Sequence, residues 1–191
     1  MEEKERIGFA MTGSFCTYKK IFPQIELLSK KFEITPIMSE VSAASDTRFG
    51  SCFEHMEKLE KITGNKVLHS VTDVEPIGPK KMFSALVVAP CTGNSLAKIA
   101  SGIADSAVTL AVKSHLRNLR PVVIAVSSND GLGNNAKNIG VLLNMKNVFV
   151  VPFGQDDCDE KPNSLVADMT LIPKTLDMAM KNLQIQPILI K

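Results

Sequence analysis

The stretch Ser84-Ala-Leu-Val-Val-Ala-Pro-Cys-Thr-Gly-Asn-Ser-Leu-Ala-Lys-Ile-Ala-Ser-Gly-Ile-Ala-Asp-Ser-Ala-Val-Thr-Leu-Ala-Val-Lys-Ser-His-Leu116 decides how the chain folds. It opens with an unbroken apolar run, residues 85–89, bounded by Pro90. Apolar residues without alternation predict a strand buried on both faces, as in a parallel sheet covered by helices. Small and polar residues fill 91–95, and then the period changes. Leu96, Ile99, Ala100, Ile103, Ala104, Ala107, Val108 and Ala111 recur at helical spacing. Asn94 or Thr92 can cap that helix with a short side-chain oxygen. A buried strand, a tight polar turn and a helix N-terminus can form an anion or cofactor cradle, or simply one βα unit of an α/β protein.

Outward from this unit the same alternation repeats. Residues 7–11 read as a first strand, followed by the turn Thr12-Gly13-Ser14-Phe15-Cys16-Thr17 and a helix carrying Ile21, Phe22, Ile25 and Leu28. Pro23 sits either in the first turn of a late-starting helix or at a kink. The turn lacks both the G-x-G-x-x-G dinucleotide pattern and the Walker A sequence. Its single Gly13 and its Thr12, Ser14 and Thr17 hydroxyls suit one phosphate better than a pyrophosphate. Residues 32–38 form a second strand that ends at Ser39, on the side where open α/β sheets bind ligands, although a lone Ser there is more often a cap or turn residue. Residues 46–63 read as an amphipathic helix stopped by Gly64-Asn65, 67–71 as a short strand, and 73–81 as a loop or brief helix.

Residues 121–126 are another buried strand, with the polar, glycine-bearing loop 127–135 at its carboxyl end. That loop reads equally as a surface turn and as a binding loop. A helix over 136–145 and a strand over 148–152 follow. The acidic segment 154–163 reads as a mobile, solvated loop, because Asp156, Asp157, Asp159 and Glu160 lack the ligand order of an EF-hand. A helix over 172–183 and an apolar tail over 185–190 close the chain, and the tail needs a surface to cover it. The whole predicts one domain over 1–191, a three-layer α/β fold built on a doubly wound, open parallel sheet.

Composition narrows the function. With 191 residues, 45% apolar and 22% charged, the chain can bury roughly 70% of its unfolded surface. A net charge of +2, no Trp and one Tyr give no footing for nucleic acid. No apolar stretch approaches the ~20 residues of a membrane helix, and the N-terminus has no signal-peptide core, so a cytoplasmic location is expected. Cys16, Cys52, Cys91 and Cys158 form no C-x-x-C pair, and His55, His69 and His115 add no metal-ligand spacing. No metal site is predicted. Cys16 and Cys91 each fall in a strand-to-helix loop, where a thiol is either activated or simply packed.

Three stretches together resemble the flavoprotein family, the homo-oligomeric flavin-containing cysteine decarboxylases and their relatives. They are Thr12-Gly13-Ser14, Met38-Ser39, and the run Ala89-Pro90-Cys91-Thr92-Gly93-Asn94-Ser95 with the helix after it, which is similar to the family's Pro-Ala-Ser-Ala-Asn signature. The resemblance covers about residues 7–151. It implies a Rossmann-like flavoprotein fold that binds FMN where protomers meet in a trimer or higher homo-oligomer. Gly13 and Ser14 would hold the phosphate with Ser39 as a second hydroxyl. Thr92, Gly93, Asn94 and Ser95 would face the ribityl chain and the isoalloxazine.

Departures from the pattern redirect the chemistry. Pro76 stands where the decarboxylases carry a catalytic His, and Val126-Ser127-Ser128-Asn129-Asp130 replaces their substrate clamp. Ser127 stands where the flavin prenyltransferases carry a phosphate-binding Arg. Catalytic residues are therefore not assigned. The loop Ser128-Asn129-Asp130-Gly131-Leu132-Gly133 and the segment from Asp156 to Leu165 resemble a sporulation-linked branch of the family. That resemblance implies one component of a two-component oxidoreductase in the mother cell of an endospore-forming bacterium. Its partner is a separate dehydrogenase-like chain, through which alone NADP(H) would enter. Its substrate is a small dicarboxylate heterocycle, for which Lys98, Arg48 and Asn129 are candidate donors. The alternative is a non-catalytic scaffold with a degenerate flavin site.

Overall fold

The computed structural model describes residues 4–190. Its strands are β1 (Arg6–Met11), β2 (Glu33–Met38), β3 (Ala85–Thr92), β4 (Val122–Ser128), β5 (Val148–Val150), β6 (Phe153–Asp157) and β7 (Lys161–Ala167). Its α-helices are α1 (Tyr18–Lys31), α2 (Glu40–Ala44), α3 (Cys52–Thr63), α4 (Val71–Val74), α5 (Gly93–Ala100), α6 (Ala107–Arg117), α7 (Ala136–Asn144) and α8 (Ile172–Ala179).

Strands β2-β1-β3-β4-β5 pair in parallel. Their interiors are unbroken apolar runs because both faces are covered. Ile7, Phe9, Ala85, Leu86, Val87, Val88, Val122, Val123 and Ile124 are all fully buried. From β1 the chain crosses to β2 on one side, and from β3 it crosses to β4 on the other. Right-handed crossovers in opposite directions put their helices on opposite faces, which winds the sheet doubly. One helical group joins α1 to α3 and α8, and the other joins α6 to α4 and α5, with α5 against α7. The topological switch lies between β1 and β3, so their carboxyl ends splay open there.

Five local readings are corrected by the structure. Strand β3 does not stop at Pro90 but runs on to Thr92, with a register shift between Val88 and Cys91. The helix read continuously over 96–111 is two helices. Gly102, at φ 71°, ends the first, with Ile103 N–H bonded to Lys98 O at 2.9 Å and Gly102 N–H to Ile99 O at 3.1 Å. Ser106 and Thr109 then start α6 with a reciprocal capping box. The periodicity ran through the break because Ala107, Val108 and Ala111 resume the same spacing on α6's own buried face.

The expected strand over 67–71 shrinks to a single bridge between Ile37 and Leu68, and α3 begins only at Cys52. The segment read as a mobile acidic loop is a β-hairpin. Strands β6 and β7 pair antiparallel, and β7 continues the sheet by pairing with Ser127 and Ser128 of β4. The parallel sheet thus gains an antiparallel extension beside the carboxyl end of β4. The apolar tail finds its surface within the chain: Phe153 N–H donates to Ile188 O at 2.9 Å, and Ile190 N–H to Phe153 O at 3.1 Å. Among the described residues no helix is long and apolar enough to cross a membrane.

Buried His115 on α6 has an Nε2 with no hydrogen-bond partner. Desolvation, reinforced by the nearby Arg120 charge, pushes its pKa from 6.5 down to about 4. The folded chain therefore refuses a proton that the unfolded chain accepts. Stability should fall as pH drops from 6.5 toward about 4, by up to about 3 kcal/mol for this residue. Chemical unfolding of His115→Gln across that window should show a visibly shallower decline than wild type.

Candidate functional site

Four strand ends meet on one edge of the sheet, carrying Ser39, Thr12-Gly13-Ser14, Thr92-Gly93 and Ser127-Ser128 in spatial order. Buried Thr12 ties the centre of this edge. Its hydroxyl donates to Pro90 O at 2.8 Å and accepts the Thr92 N–H at 3.0 Å. Tyr18 at the start of α1 donates its hydroxyl to Thr12 O at 3.1 Å, and burial raises its pKa to about 12, so it stays a donor. These bonds hold β1 and β3 together just below the point where their loops diverge.

Above them opens a cleft of about 640 Å³, floored by Gly13, Ser14, Thr92, Gly93, Ser127 and Ser128. Ser14 Oγ and Ser127 Oγ lie 2.8 Å apart, spanning the gap from β1 to β4. Asn129, Asp130 and Asn135 rim it from the loop after β4, while Lys19 and Lys20 come from α1 and Asp156, Lys161 and Val166 from the hairpin. Gly93 is required by close approach: a Cβ there would lie 2.5 Å from Asn135 Nδ2 and 2.7 Å from Ser128 Oγ.

The helix starts differ in their caps, and α8, remote from the cleft, begins after Leu171 with no side-chain cap. Away from the cleft, α2, α3, α4 and α6 are capped by Ser39, Ser51, Ser70 and Ser106. At the cleft, α1, α5 and α7 begin at Thr17, Thr92 and Asn135, none of which makes a side-chain cap bond. Each of these three N-cap residues also lines the cleft. The first N–H of α1, on Tyr18, donates to Phe15 O, and that of α7, on Ala136, to Gly133 O at 3.1 Å. The start of α5 therefore offers the freest N–H donors and dipole end, which together favour an anion.

Of the residues expected at the site, Gly13, Ser14, Thr92 and Gly93 are brought together in the cleft. Asn94 is exposed and Ser95 buried one turn into α5, with Thr92 Oγ1 3.3 Å from Ser95 Oγ. Ser39 caps α2, bonding Ser42 N–H at 3.3 Å and the Ser42 hydroxyl at 2.8 Å. Among the candidate donors, Asn129 lines the cleft, Lys98 is ion-paired with Asp105 at 2.8 Å, and Arg48 lies over the Phe49 ring. Cys91 lies inside β3 rather than in a loop, and complete burial raises its thiol pKa, which makes it a packing group. Cys16 is exposed, 3.8 Å from Ser14 Oγ.

Sequence reasoning placed Asn135 only within the loop 127–135 and did not single out Lys19, Lys20, Lys161 or Val166 as site residues. The one signal for the hairpin was the turn-like Asp157-Cys158-Asp159-Glu160 between two apolar runs, masked by its acidity.

The family model for flavoproteins matches residues 1–182. The chain belongs to the flavoprotein family. It is 46% identical over 188 residues to the B subunit of dipicolinate synthase from Bacillus subtilis, covering 98% of this chain and 94% of that protein. The crystal structure of the corresponding B subunit from Bacillus halodurans superposes with a TM-score of 0.90 at 42% identity, covering 99% and 97% of the two chains. The FMN binding protein AtHal3 shares the fold alone, with a TM-score of 0.69 at 19% identity over 94% of this chain and 98% of that one.

Two substitutions test the geometry. Thr12→Val removes the hydroxyl that the Thr92 N–H needs and should cost about 1–3 kcal/mol in denaturant unfolding. Gly93→Ala should cost about 1–3 kcal/mol by overpacking, and should displace Ser128 and Asn135 into the cleft in a crystal structure of the variant.

Proposed function

We propose that the cleft binds FMN and that the chain acts as the flavin-carrying B subunit of a dipicolinate synthase. With the dehydrogenase-like A subunit of that enzyme it would oxidise a dihydrodipicolinate-pathway intermediate to dipicolinic acid in the mother cell cytoplasm of a sporulating bacterium. The observation that carries the cofactor reading is the convergence of three uncapped helix N-termini on a hydroxyl-lined cleft at the switch point of the sheet. The pathway reading rests on the similarity to the Bacillus proteins.

The residues present fit the group. Gly13 and Ser14, at the end of β1, would hold the phosphate through backbone N–H and hydroxyl donors. Ser39 would add a second hydroxyl only by loosening its hold on Ser42. Thr92, Gly93, Asn94 and Ser95 would flank the ribityl chain and ring, with the N–H groups of α5 as donors. FMN supplies hydride acceptance when bound, and aromatisation of the heterocycle favours the transfer. The protein's share is to orient cofactor and substrate in a cleft whose polar groups are already fixed by the Thr12 and Gly93 contacts. NADP(H) would enter only through the dehydrogenase-like partner. A homotrimer or larger homo-oligomer would complete the cofactor pocket where protomers meet.

A scaffold role with a degenerate flavin site is the second reading. It is favoured by Ser127, which occupies the position of a phosphate-binding Arg and satisfies the Ser14 hydroxyl internally at 2.8 Å. Visible absorbance during FMN titration, with and without the dehydrogenase-like partner, separates the two. The proposal expects shifted flavin bands that co-purify with the chain, and roughly tenfold weaker uptake in Ser14→Ala as a charge-assisted bond is lost. A colourless protein that takes up no FMN in either state would establish the scaffold.

A further inference from the structure

The wall of the cleft formed by α1 carries charge that its own helix opposes. Lys19 and Lys20 are the second and third residues of α1, whose first turn contains no acidic side chain. A cation in that turn faces the positive end of the helix dipole, so local helix energetics disfavour both. Neither lysine has an ion-pair partner among the described residues. Both line the cleft, and Lys161 enters the same space from β7 on the hairpin.

The acids in the lining, Asp130 and Asp156, cancel this charge only in part, leaving three lysines against two carboxylates. Lys161 Nζ sits 3.0 Å from the Asp156 carboxylate, which keeps its ammonium charged. Asp130 is turned onto its own loop, accepting the Asn134 N–H at 3.1 Å. Asp157 accepts the N–H groups of Asp159 and Glu160 at 3.2 and 3.0 Å within the hairpin turn, outside the cleft lining. Lys19 and Lys20, without ion-pair partners, and Lys161, paired with Asp156, thus line the same cleft as the Ser14–Ser127 hydroxyl pair.

We infer that Lys19, Lys20 and Lys161 form a subsite for the two carboxylates of a small planar dianion, separate from the hydroxyl and N–H donors of the cleft floor. The substrate class rests on the flavin-dependent oxidation proposed above, whereas the subsite itself rests on the charge and placement of these lysines. On binding, one carboxylate engages Lys19 and Lys20, and the other competes with Asp156 for Lys161.

The test is calorimetric titration of the full-length protein, alone and saturated with FMN, with pyridine-2,6-dicarboxylate and with pyridine-2-carboxylate. The dicarboxylate should bind at least tenfold more tightly than the monocarboxylate, and more weakly as salt rises. Lys19→Gln/Lys20→Gln and Lys161→Gln should each weaken it roughly tenfold, whereas Lys113→Gln on α6 should not. FMN uptake, read by absorbance, should fall less than dicarboxylate binding in the lysine variants of the cleft and stay unchanged in Lys113→Gln. Lysine-dependent dicarboxylate binding by a chain that takes up no FMN would support the subsite while defeating the flavin reading. Dicarboxylate affinity indifferent to the three lysines, or no dicarboxylate binding in either state, would overturn the subsite. So would a loss of FMN uptake in the lysine variants as large as the loss of dicarboxylate binding, since the lysines would then serve the cofactor phosphate.

Discussion

The hydroxyl of Thr12 is the interaction on which the rest of the site depends. Strands β1 and β3 must lie side by side in the sheet, yet their loops must part at once to leave room for a ligand. Beyond Val88 the regular β1–β3 register ends, and the Thr12 side chain takes over by bridging Pro90 O and Thr92 N–H. Tyr18 secures the Thr12 carbonyl from α1, so the first turn of that helix is positioned by the same residue. A buried hydroxyl is an economical choice here, because it satisfies a carbonyl and an amide at once in a place where neither can reach water.

The same chain treats its helix ends in two ways. Where a helix only supports the fold, Ser51, Ser70 and Ser106 close its N-terminus with reciprocal capping boxes. Where α1, α5 and α7 open on the cleft, the cap residues make no side-chain bond to the helix. Helix α8 also starts without a side-chain cap, but only at the cleft do three such starts gather, which makes that place the candidate site. Lys19 and Lys20 in the first turn of α1 break a further rule at the same cleft. The serine pair Ser14–Ser127 completes the arrangement by satisfying two hydroxyls across the opening.

The hairpin of β6 and β7 changes what the fold can do with this edge. A purely parallel sheet would leave the carboxyl end of β4 bare, beyond the short β5. Instead β7 pairs with Ser127 and Ser128, which fixes the two residues facing Ser14 and Gly93 and brings Asp156, Lys161 and Val166 to the cleft. The outer edge of β6 is in turn covered by the tail at Phe153. The acidic turn stays in solvent, where its carboxylates can bond backbone N–H groups.

The sequence by itself determined the fold class, because unbroken apolar runs such as Ala85 to Ala89 can be satisfied only between two helical layers. It also pointed to the loops after β1 and β3, since Gly13 and Gly93 with their hydroxyl neighbours stand where strands end. It could not show that helix 96–111 breaks, because α6 resumes the apolar spacing of α5. Nor could it show the hairpin, whose pairing with β4 is a long-range backbone contact hidden under a run of acids. Only the tertiary structure decided which hydroxyls are free and which are spent. Ser39 and Ser14 look alike in sequence, yet one caps a helix while the other meets Ser127 across the sheet. The reason is general: apolar burial is written locally as periodicity, whereas a polar site is made of partners distant along the chain that meet only once the core has formed.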